Sequence, residues 1–226
     1  VAVGDNGIVL RSTDNASSFS SVSPYYTGTS RGVTFGNNTF VGVSDGGKTG
    51  RSIDNASSWN NSTSGISTTL YGVTFGNNTF VAVGQSGKIL RSTDNASSWN
   101  NSTSPITSRL YGVTFGNNTF VAVGQSGKIL RSTDNASSWD NSTSGISTNL
   151  YGVTFGNNTF VVVGPSGKIL RSTDNASSWN NSTSGISTTL YGVTFGNNTF
   201  VAVGQSGKIL RSTDNASSWN NSTSPI

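Results

Sequence analysis

Residues 111–139 read YGVTFGNNTFVAVGQSGKILRSTDNASSW, and this stretch decides the fold. The same letters return with few changes at 71–99, 151–179 and 191–219, and a more divergent copy covers 31–59. Internal repetition with a period of 40 residues is the signature of a repeat architecture, in which each copy is one small structural unit. Nearly identical units also offer nearly identical chemistry, so no single copy is marked as a specialised catalytic site.

Each unit contains four segments with the pattern of short β-strands. Residues 110–115 alternate large and small side chains, whereas 120–123 are apolar on both faces, as in a strand that is covered on both sides. Residues 128–133 form a third segment, and Trp139 opens a shorter polar fourth one. The intervening residues are rich in Gly, Asn, Asp and Ser, which favour tight turns. The pattern predicts an all-β fold, a β-propeller of four-stranded antiparallel blades. The alternative is an open β-solenoid, which has shorter coils and parallel stacking.

The two ends of the sequence interrupt the repeat. Val1-Ala2-Val3-Gly4 matches residues 121–124 in the second strand of a unit, and Pro225-Ile226 matches residues 105–106, just before a first strand. Six units would need 240 residues, fourteen more than the 226 present. We therefore expect six blades, one of which lacks its innermost strand, with five blades plus a remnant as the alternative. The prediction is one domain over 1–226, with a partial blade at 1–29 and full blades at about 30–69, 70–109, 110–149, 150–189 and 190–226.

Composition limits the possible functions. The formal net charge of +4 is distributed over the repeats without a Lys/Arg cluster, so we expect no nucleic-acid partner. There is no Cys, His or Glu, and the nine Asp residues are scattered. Zinc sites and the usual nucleophile–base pairs need Cys or His, and glycosidases generally need paired carboxylates. We expect no enzyme activity, no metal and no cofactor. No apolar run approaches the roughly 20 residues that span a bilayer, so we expect no membrane insertion.

The phrase Ser132-x-Asp134-x-Ala136-x-Ser138-Trp139 resembles the Asp-box, or bacterial neuraminidase repeat, and the resemblance extends over the whole chain. The wider unit is similar to bacterial secreted propellers related to photosystem II assembly factors. Ala replaces the usual Gly of the box, which suggests a somewhat different turn, and Phe19 replaces Trp in the first copy. The resemblance implies a structural role at the turn between the third and fourth strands. The residues concerned are Asp14, Asp54, Asp94, Asp134, Asp174, Asp214, Trp59, Trp99, Trp139, Trp179 and Trp219.

The physical chemistry of the box agrees with a structural role. An Asp in such a turn accepts backbone N–H groups, and the following Trp supplies apolar area between blades. The sialidase activity suggested by the repeat's name would need converging arginines, a Tyr–Glu pair and an acidic residue. Glu is absent, and one equivalent place in each unit holds Arg. These residues are Arg11, Arg51, Arg91, Arg131, Arg171 and Arg211.

Two kinds of surface position remain. Loops between the second and third strands share one blade edge with the Ser/Thr-rich connectors, where polar pockets between blades would suit weak, multivalent sugar binding. The residues proposed for a ligand are Gln85, Lys88, Gln125, Lys128, Lys168, Gln205 and Lys208. Asn-x-Ser/Thr sequons are dense and predict N-glycosylation if the chain passes through a glycosylating route. The proposed positions are Asn15, Asn37, Asn55, Asn77, Asn95, Asn117, Asn135, Asn157, Asn175, Asn197 and Asn215.

These observations favour a non-enzymatic structural or interaction scaffold that is secreted or held at the cell surface. The incomplete blade predicts self-association into a homo-oligomer or fibre, because an exposed strand edge is a template for another strand. The competing function is a multivalent glycan-binding lectin.

Overall fold

The computed structural model describes residues 1–222, and over this range it contains six antiparallel sheets and five short 3₁₀ helices. These residues form two compact units, which divide between Thr107 and Ser108. Each unit holds three sheets, and each is described separately below. Within the described range, no helix is long and apolar enough to cross a membrane.

Unit 1 contains blades 1, 2 and 3. Blade 1 consists of β1 (Ala2–Val3), β2 (Val9–Arg11) and β3 (Ser20–Val22). Blade 2 consists of β4 (Ser30–Gly36), β5 (Thr39–Ser44), β6 (Thr49–Ser52) and β7 (Asn60–Ser62). Blade 3 consists of β8 (Leu70–Gly76), β9 (Thr79–Gly84), β10 (Ile89–Ser92) and β11 (Asn100–Asn101). The 3₁₀ helices of this unit are Asp5–Gly7, Asp45–Gly47 and Gln85–Gly87.

Unit 2 contains blades 4, 5 and 6. Blade 4 consists of β12 (Leu110–Gly116), β13 (Thr119–Gly124), β14 (Ile129–Ser132) and β15 (Asp140–Ser142). Blade 5 consists of β16 (Gly152–Gly156), β17 (Thr159–Val163), β18 (Ile169–Ser172) and β19 (Asn180–Ser182). Blade 6 consists of β20 (Leu190–Gly196), β21 (Thr199–Gly204), β22 (Ile209–Ser212) and β23 (Asn220–Ser222). The 3₁₀ helices are Gln125–Gly127 and Gln205–Gly207.

The strand order within every sheet follows the chain, which confirms the predicted propeller blades. Five sheets have four strands, and the first has three over the described residues. Its strands pair Ala2 with Leu10, as Ala122 pairs with Leu130 in blade 4. Blade 1 therefore contains the equivalents of a second, third and fourth strand. The predicted match of Pro225-Ile226 lies outside the described residues, and the single-domain boundaries stay a prediction.

The second strands of blades 3, 4 and 5 are buried on both faces, which explains their unbroken apolar sequences. In unit 2, Val121 and Val123 of β13 pack against the next blade, where they meet Phe160 and Leu170. The alternate residue Ala122 lies on the opposite face and is also fully buried. Side chains in a strand point alternately to opposite faces, so only an all-apolar run can fill both interfaces. The core therefore lies between the blades.

Two local features shape the innermost strand. The pairing shifts between Leu110 and Gly112, so Tyr111 is the extra residue of a β-bulge. The strand ends in a two-residue hairpin loop at Asn117 and Asn118, with φ of 46° and 55°. Positive φ at both central positions is the requirement of a type I′ turn, which Asn meets more easily than most residues. The turn was expected from the sequence, whereas the bulge was not.

Blade 2 carries a compensated change in its core. Where blade 3 has Leu70, Ala82 and Leu90, blade 2 has Ser30, Gly42 and Gly50. The ring of Tyr25, from the connector that precedes β4, fills the vacated space and is buried. Its hydroxyl lies 2.9 Å from the Ser44 hydroxyl, which in turn donates to Ser30 at 3.2 Å. Three small residues and one large residue thus form a single packing solution.

Blade 5 shows the effect of proline in the loop between the second and third strands. In blade 4, the N–H of Gln125 donates to the carbonyl of Arg109 at 2.9 Å and ties the loop to the start of the first strand. Pro165 occupies the equivalent place in blade 5 and has no N–H to donate. In blade 4 the first strand, β12, begins at Leu110, whose counterpart in blade 5 is Leu150. In blade 5 the first strand, β16, begins only at Gly152, so it is two residues shorter at its start.

Candidate functional site

The Asp of each box binds its own turn. In blade 4, Asp134 Oδ1 accepts the Ser132 hydroxyl at 2.7 Å and the backbone N–H of Ser138 at 3.0 Å. Asp134 Oδ2 accepts the Ser138 hydroxyl at 2.6 Å. The same contacts recur at Asp14, Asp54, Asp94, Asp174 and Asp214. Both oxygens of the carboxylate are therefore engaged in holding the turn.

These hydrogen bonds favour the ionised carboxylate. At Asp174, the hydroxyl of Ser178 makes the largest contribution, and together with further bonds from Ser178 and Ser172 it lowers the pKa to about 2. At Asp134, partial burial raises the pKa, but the bonds from Ser138, Ser132 and Ser137 outweigh it and bring the pKa to about 2. Hydrogen bonds to the charged form stabilise that form. A carboxyl held in this state suits a turn rather than proton transfer near neutral pH.

The unusual Ala of the box takes a left-handed conformation. Asn135 and Ala136 have φ of 61° and 62°, and the equivalent pairs in the other boxes are similar. The N–H of Ala136 donates to the Ser132 hydroxyl at 3.0 Å, and its methyl group is fully buried. A left-handed backbone costs Ala about 1–2 kcal/mol relative to a right-handed one. The turn retains the conformation that would favour Gly, and the buried methyl group offsets part of the cost.

The repeated Arg connects neighbouring blades. Within unit 2, Arg131 Nε donates to the carbonyl of Asn175 at 2.7 Å, and Arg171 Nε donates to that of Asn215 at 2.6 Å. Unit 1 has the same link from Arg51 to the carbonyl of Asn95, at 2.9 Å. Each guanidinium binds the Asp-box turn of the following blade. These arginines therefore lie along blade interfaces and do not converge on a common substrate position.

The Trp that follows the box also lies at a blade interface. Trp139 packs on Phe120 of its own blade, with ring centroids 6.5 Å apart. Trp179 Nε1 reaches the preceding blade and donates to the Ser142 hydroxyl at 3.0 Å. In blade 1 the equivalent Phe19 is 48% exposed. The tryptophans of blades 3, 4 and 6 are buried, and those of blades 2 and 5 are partly buried.

Several sequon asparagines make contacts between blades. Asn175 Nδ2 donates to the Thr119 hydroxyl at 2.7 Å, and Asn215 Nδ2 donates to that of Thr159 at the same distance. Thr119 and Thr159 are fully buried. A glycan on Asn175 would replace an N–H at a contact where the structure leaves no space between the two side chains. The spacing of the sequons does not distinguish asparagines that bond to another blade, such as Asn175, from exposed ones such as Asn197.

Charges are sorted to opposite edges of the sheets. We call the edge with the second-to-third strand loops and the fourth-to-first strand connectors the connector edge, and the opposite one the box edge. In unit 2 the connector edge carries Arg109, Lys128, Lys168 and Lys208, while every Asp of the described residues 108–222 lies towards the box edge. The connector edge of unit 1 is less basic, because Asp45 pairs with Arg31 at 2.9 Å. Strand reversal thus concentrates charges that are evenly spaced along the sequence.

Polar pockets recur at the connector edge. One in unit 2, of about 680 Å³, lies between blades 4 and 5 and includes Lys128 and Lys168. In unit 1, one of about 660 Å³ lies beside Tyr25 and Lys48, and one of about 350 Å³ includes Lys88. The glutamines proposed from the sequence are not among the residues that line these three pockets. Their backbone N–H groups instead tie the loops to the connectors, as at Gln85, Gln125 and Gln205. Over residues 1–222, no group of three or more His, Cys, Asp or Glu is arranged to hold a metal ion.

Solved structures with the same fold include two of YCF48. YCF48 bound to D1 peptide has a TM-score of 0.76 and 17% identity, covering 97% of this chain and 75% of that one. YCF48 from Cyanidioschyzon merolae has a TM-score of 0.74 and 16% identity, covering 97% of this chain and 80% of that one. The GH74 enzyme of Niastella koreensis has a TM-score of 0.71 and 20% identity, covering 99% of this chain but 37% of the enzyme. These likenesses show the propeller fold.

No curated protein matches the sequence. The family model described as photosynthesis system II assembly factor YCF48 matches residues 2–213, which is nearly all of the chain. That span includes five complete Asp-box turns with the connectors and strands between them, and the sixth box, at residues 212–219, extends past its end. The chain therefore belongs to the YCF48-like family of Asp-box propellers.

Proposed function

We propose that this chain is a non-enzymatic interaction scaffold that binds a polypeptide segment of another protein. Membership of the YCF48-like family supports the proposal, because one solved YCF48 structure contains a bound D1 peptide. The repeated blades offer a rigid surface, with the core fixed between sheets and the loops displayed at two edges. Protein binding on loops held by a rigid scaffold is common.

One observation carries the non-enzymatic part. The repeated charged residues, which are the candidates for catalysis, make structural hydrogen bonds instead. Asp134 holds its own turn, and Arg131 binds the next blade. A catalytic carboxylate needs an oxygen that can reach the substrate. The fold alone does not decide this question, since a GH74 enzyme shares it.

Peptide display tests the scaffold function. A library of random peptides of about twelve residues would be selected on the immobilised chain, and a D1 peptide would be titrated beside it by fluorescence anisotropy. We expect saturable binding of at least one enriched peptide and no hydrolysis of chromogenic glycosides. Hydrolysis that is lost in Asp134→Asn, or a selection that enriches no peptide above a heat-denatured control, would contradict the proposal.

We also propose self-association through blade 1. Among the described residues, β1 pairs on one side with β2 and occupies the edge of a three-stranded sheet. A strand from a second copy could add to this edge by β-augmentation. Native mass spectrometry at micromolar concentration should show dimers or longer chains. A monomer alone under these conditions would contradict this part of the proposal.

A second candidate function is multivalent glycan binding. The observation that favours it is the recurrence of the polar pockets at the connector edge in both units. Repeated weak sites gain strength when one ligand engages several of them. A glycan array probed with labelled chain tests this function. Binding to no glycan at high probe density would exclude it.

We propose a secreted or cell-surface location, supported by the resemblance to secreted propellers and by the dense sequons. Fractionation of expressing cells tests the location, and intact mass tests glycosylation. If glycans are added, we expect Asn197, which is exposed, to be modified before Asn175, which donates to Thr119. Full occupancy of Asn175 in the folded chain would contradict that order.

A further inference from the structure

We infer that the pocket between blades 4 and 5 binds a uronic acid unit of an acidic polysaccharide. This inference rests on the second candidate function and specifies its ligand class. The pocket, of about 680 Å³, is within the range of about 300–1,000 Å³ that is usual for small-ligand sites.

The charge of the pocket calls for an anion. Lys128 lies in the loop of blade 4 on one side, and Lys168 comes from blade 5 on the other. None of the lining residues is acidic. Lys168 Nζ donates one bond to Asn181 Oδ1 at 3.2 Å, so the ammonium group has further N–H donors for a ligand. A concave site with charges of one sign concentrates ligands of the opposite sign.

The surrounding charges strengthen this preference. Arg109 and Lys208 lie at the same connector edge, whereas Asp134 and Asp174 are held in turns at the opposite edge. No acidic side chain of the part of unit 2 that the structure describes neutralises the lysines at this edge. The potential at the pocket mouth is therefore positive even though the chain as a whole carries only +4.

The lining also calls for a ligand rich in hydroxyl groups. Apart from the lysines, the pocket presents Ser, Thr and Asn side chains and glycine backbone, and Ile146 is its one large apolar residue. Ser144 is buried and fixes the connector through its bonds with Ile146, which makes the wall rigid. A sugar offers both acceptors for the lysines and donors for the hydroxyl oxygens.

The opposite wall is likewise held in place. The N–H of Ser126 donates to Asn149 Oδ1 at 3.1 Å, which ties the loop of blade 4 to the residues that precede blade 5. The site therefore exists before the ligand binds. A preformed site loses less conformational entropy on binding, which allows modest affinity from a small ligand.

Calorimetric titration at low ionic strength tests the inference on the full chain. The probes are trigalacturonic acid, its methyl ester, which has the same hydroxyl groups without the charge, and triglutamate. The variant Lys128→Gln/Lys168→Gln removes both pocket charges. The control Arg109→Gln/Arg211→Gln removes the same net charge from two exposed positions of unit 2 outside the pocket. We expect both variants to fold, because all four side chains are exposed or partly exposed. Thermal unfolding checks this expectation.

We expect trigalacturonic acid to bind about tenfold more tightly than the ester, which is the effect of two partly exposed charge contacts. The pocket variant should lose this difference, and the control should stay within about twofold of the unmodified chain. Equal losses in both variants, or equally tight binding of triglutamate, would overturn the inference. Equal binding of ester and acid would overturn it while leaving the glycan-binding function standing. If neither the acid nor the ester binds, the inference is overturned, and the glycan array decides separately whether the chain binds other glycans.

Discussion

The ring of Tyr25 occupies the space that in blade 3 is filled by the side chain of Leu90, the counterpart of Gly50. A β-carbon on Gly50 would lie 2.1 Å from this ring. A β-carbon on Gly42 would lie 2.4 Å from the Tyr25 hydroxyl oxygen. Such distances are far below van der Waals contact, so Tyr25 fits in this position only because residues 42 and 50 are glycine. Blade 2 therefore has a core that is chemically different from that of its neighbours but equally filled.

The first prediction concerns this exchange of volume. Tyr25→Ala should reduce the free energy of unfolding by about 3–5 kcal/mol, because it leaves a cavity lined by Gly42 and Gly50. Tyr25→Phe keeps the ring and loses the hydroxyl with its bond to Ser44, and should cost about 1 kcal/mol. Urea denaturation followed by Trp fluorescence measures both, and Phe19→Ala is the matched control at an exposed ring.

A rescue variant makes the same prediction stricter. Gly50→Leu alone should destabilise the chain by clashing with Tyr25. Combined with Ser30→Leu, Gly42→Ala and Tyr25→Gly, it copies blade 3 and should recover much of the lost stability. If Gly50→Leu were tolerated in the presence of Tyr25, the packing described here would be wrong.

The second prediction is an acid-dependent loss of stability from the Asp-box. The folded pKa of Asp174 is about 2, below the value of about 3.9 for an unfolded Asp, so the unfolded chain binds the proton more tightly. The stabilising contribution is therefore complete above about pH 4 and lost as pH falls towards 2. Melting temperatures over this window should fall less steeply in Asp174→Asn than in the unmodified chain. An identical slope would show that the turn does not favour the charged form.

The third prediction concerns the link between blades. Arg131→Met keeps most of the apolar stem but loses the bond to the Asn175 carbonyl, and should cost about 1.5–3 kcal/mol, the range for charged hydrogen bonds. Hydrogen exchange should increase at the Asn175 turn, since its contact with blade 4 is weakened. Arg109→Met, at an exposed position, serves as the control and should change stability by less than about 0.5 kcal/mol.

The fourth prediction tests the hairpin turn of the innermost strand. Asn118 has φ of 55°, so Asn118→Gly should preserve or slightly raise stability. Asn118→Val should cost at least about 1–2 kcal/mol, because a β-branched residue resists positive φ. Thermal unfolding of the two variants decides the point. A Val variant as stable as the Gly variant would mean that the turn has another conformation.

The pocket with Lys128 and Lys168 and the Asp-box differ in how much of their structure the sequence could predict. The contacts of Asp134 span four residues, so the turn could be anticipated from the local pattern. The pocket combines Lys128 and Lys168, which are forty positions apart and were proposed separately as ligand-binding residues. Their shared cavity depends on how two blades pack, which no local pattern encodes. The glutamines have similar spacing, but they line none of the three pockets described.

The sequence by itself determined the fold of this protein, because a repeated alternation of apolar strands and Gly/Asn turns leaves few ways to bury the strands except in stacked blades. It also determined the Asp-box turns, whose partners are neighbours along the chain. Only the tertiary structure decided that Arg131 binds another blade and that Tyr25 replaces the missing volume at Gly50. It also placed the lysines of unit 2 together at one edge. These relationships join residues that are distant in sequence, and they follow from packing and strand reversal rather than from local preference.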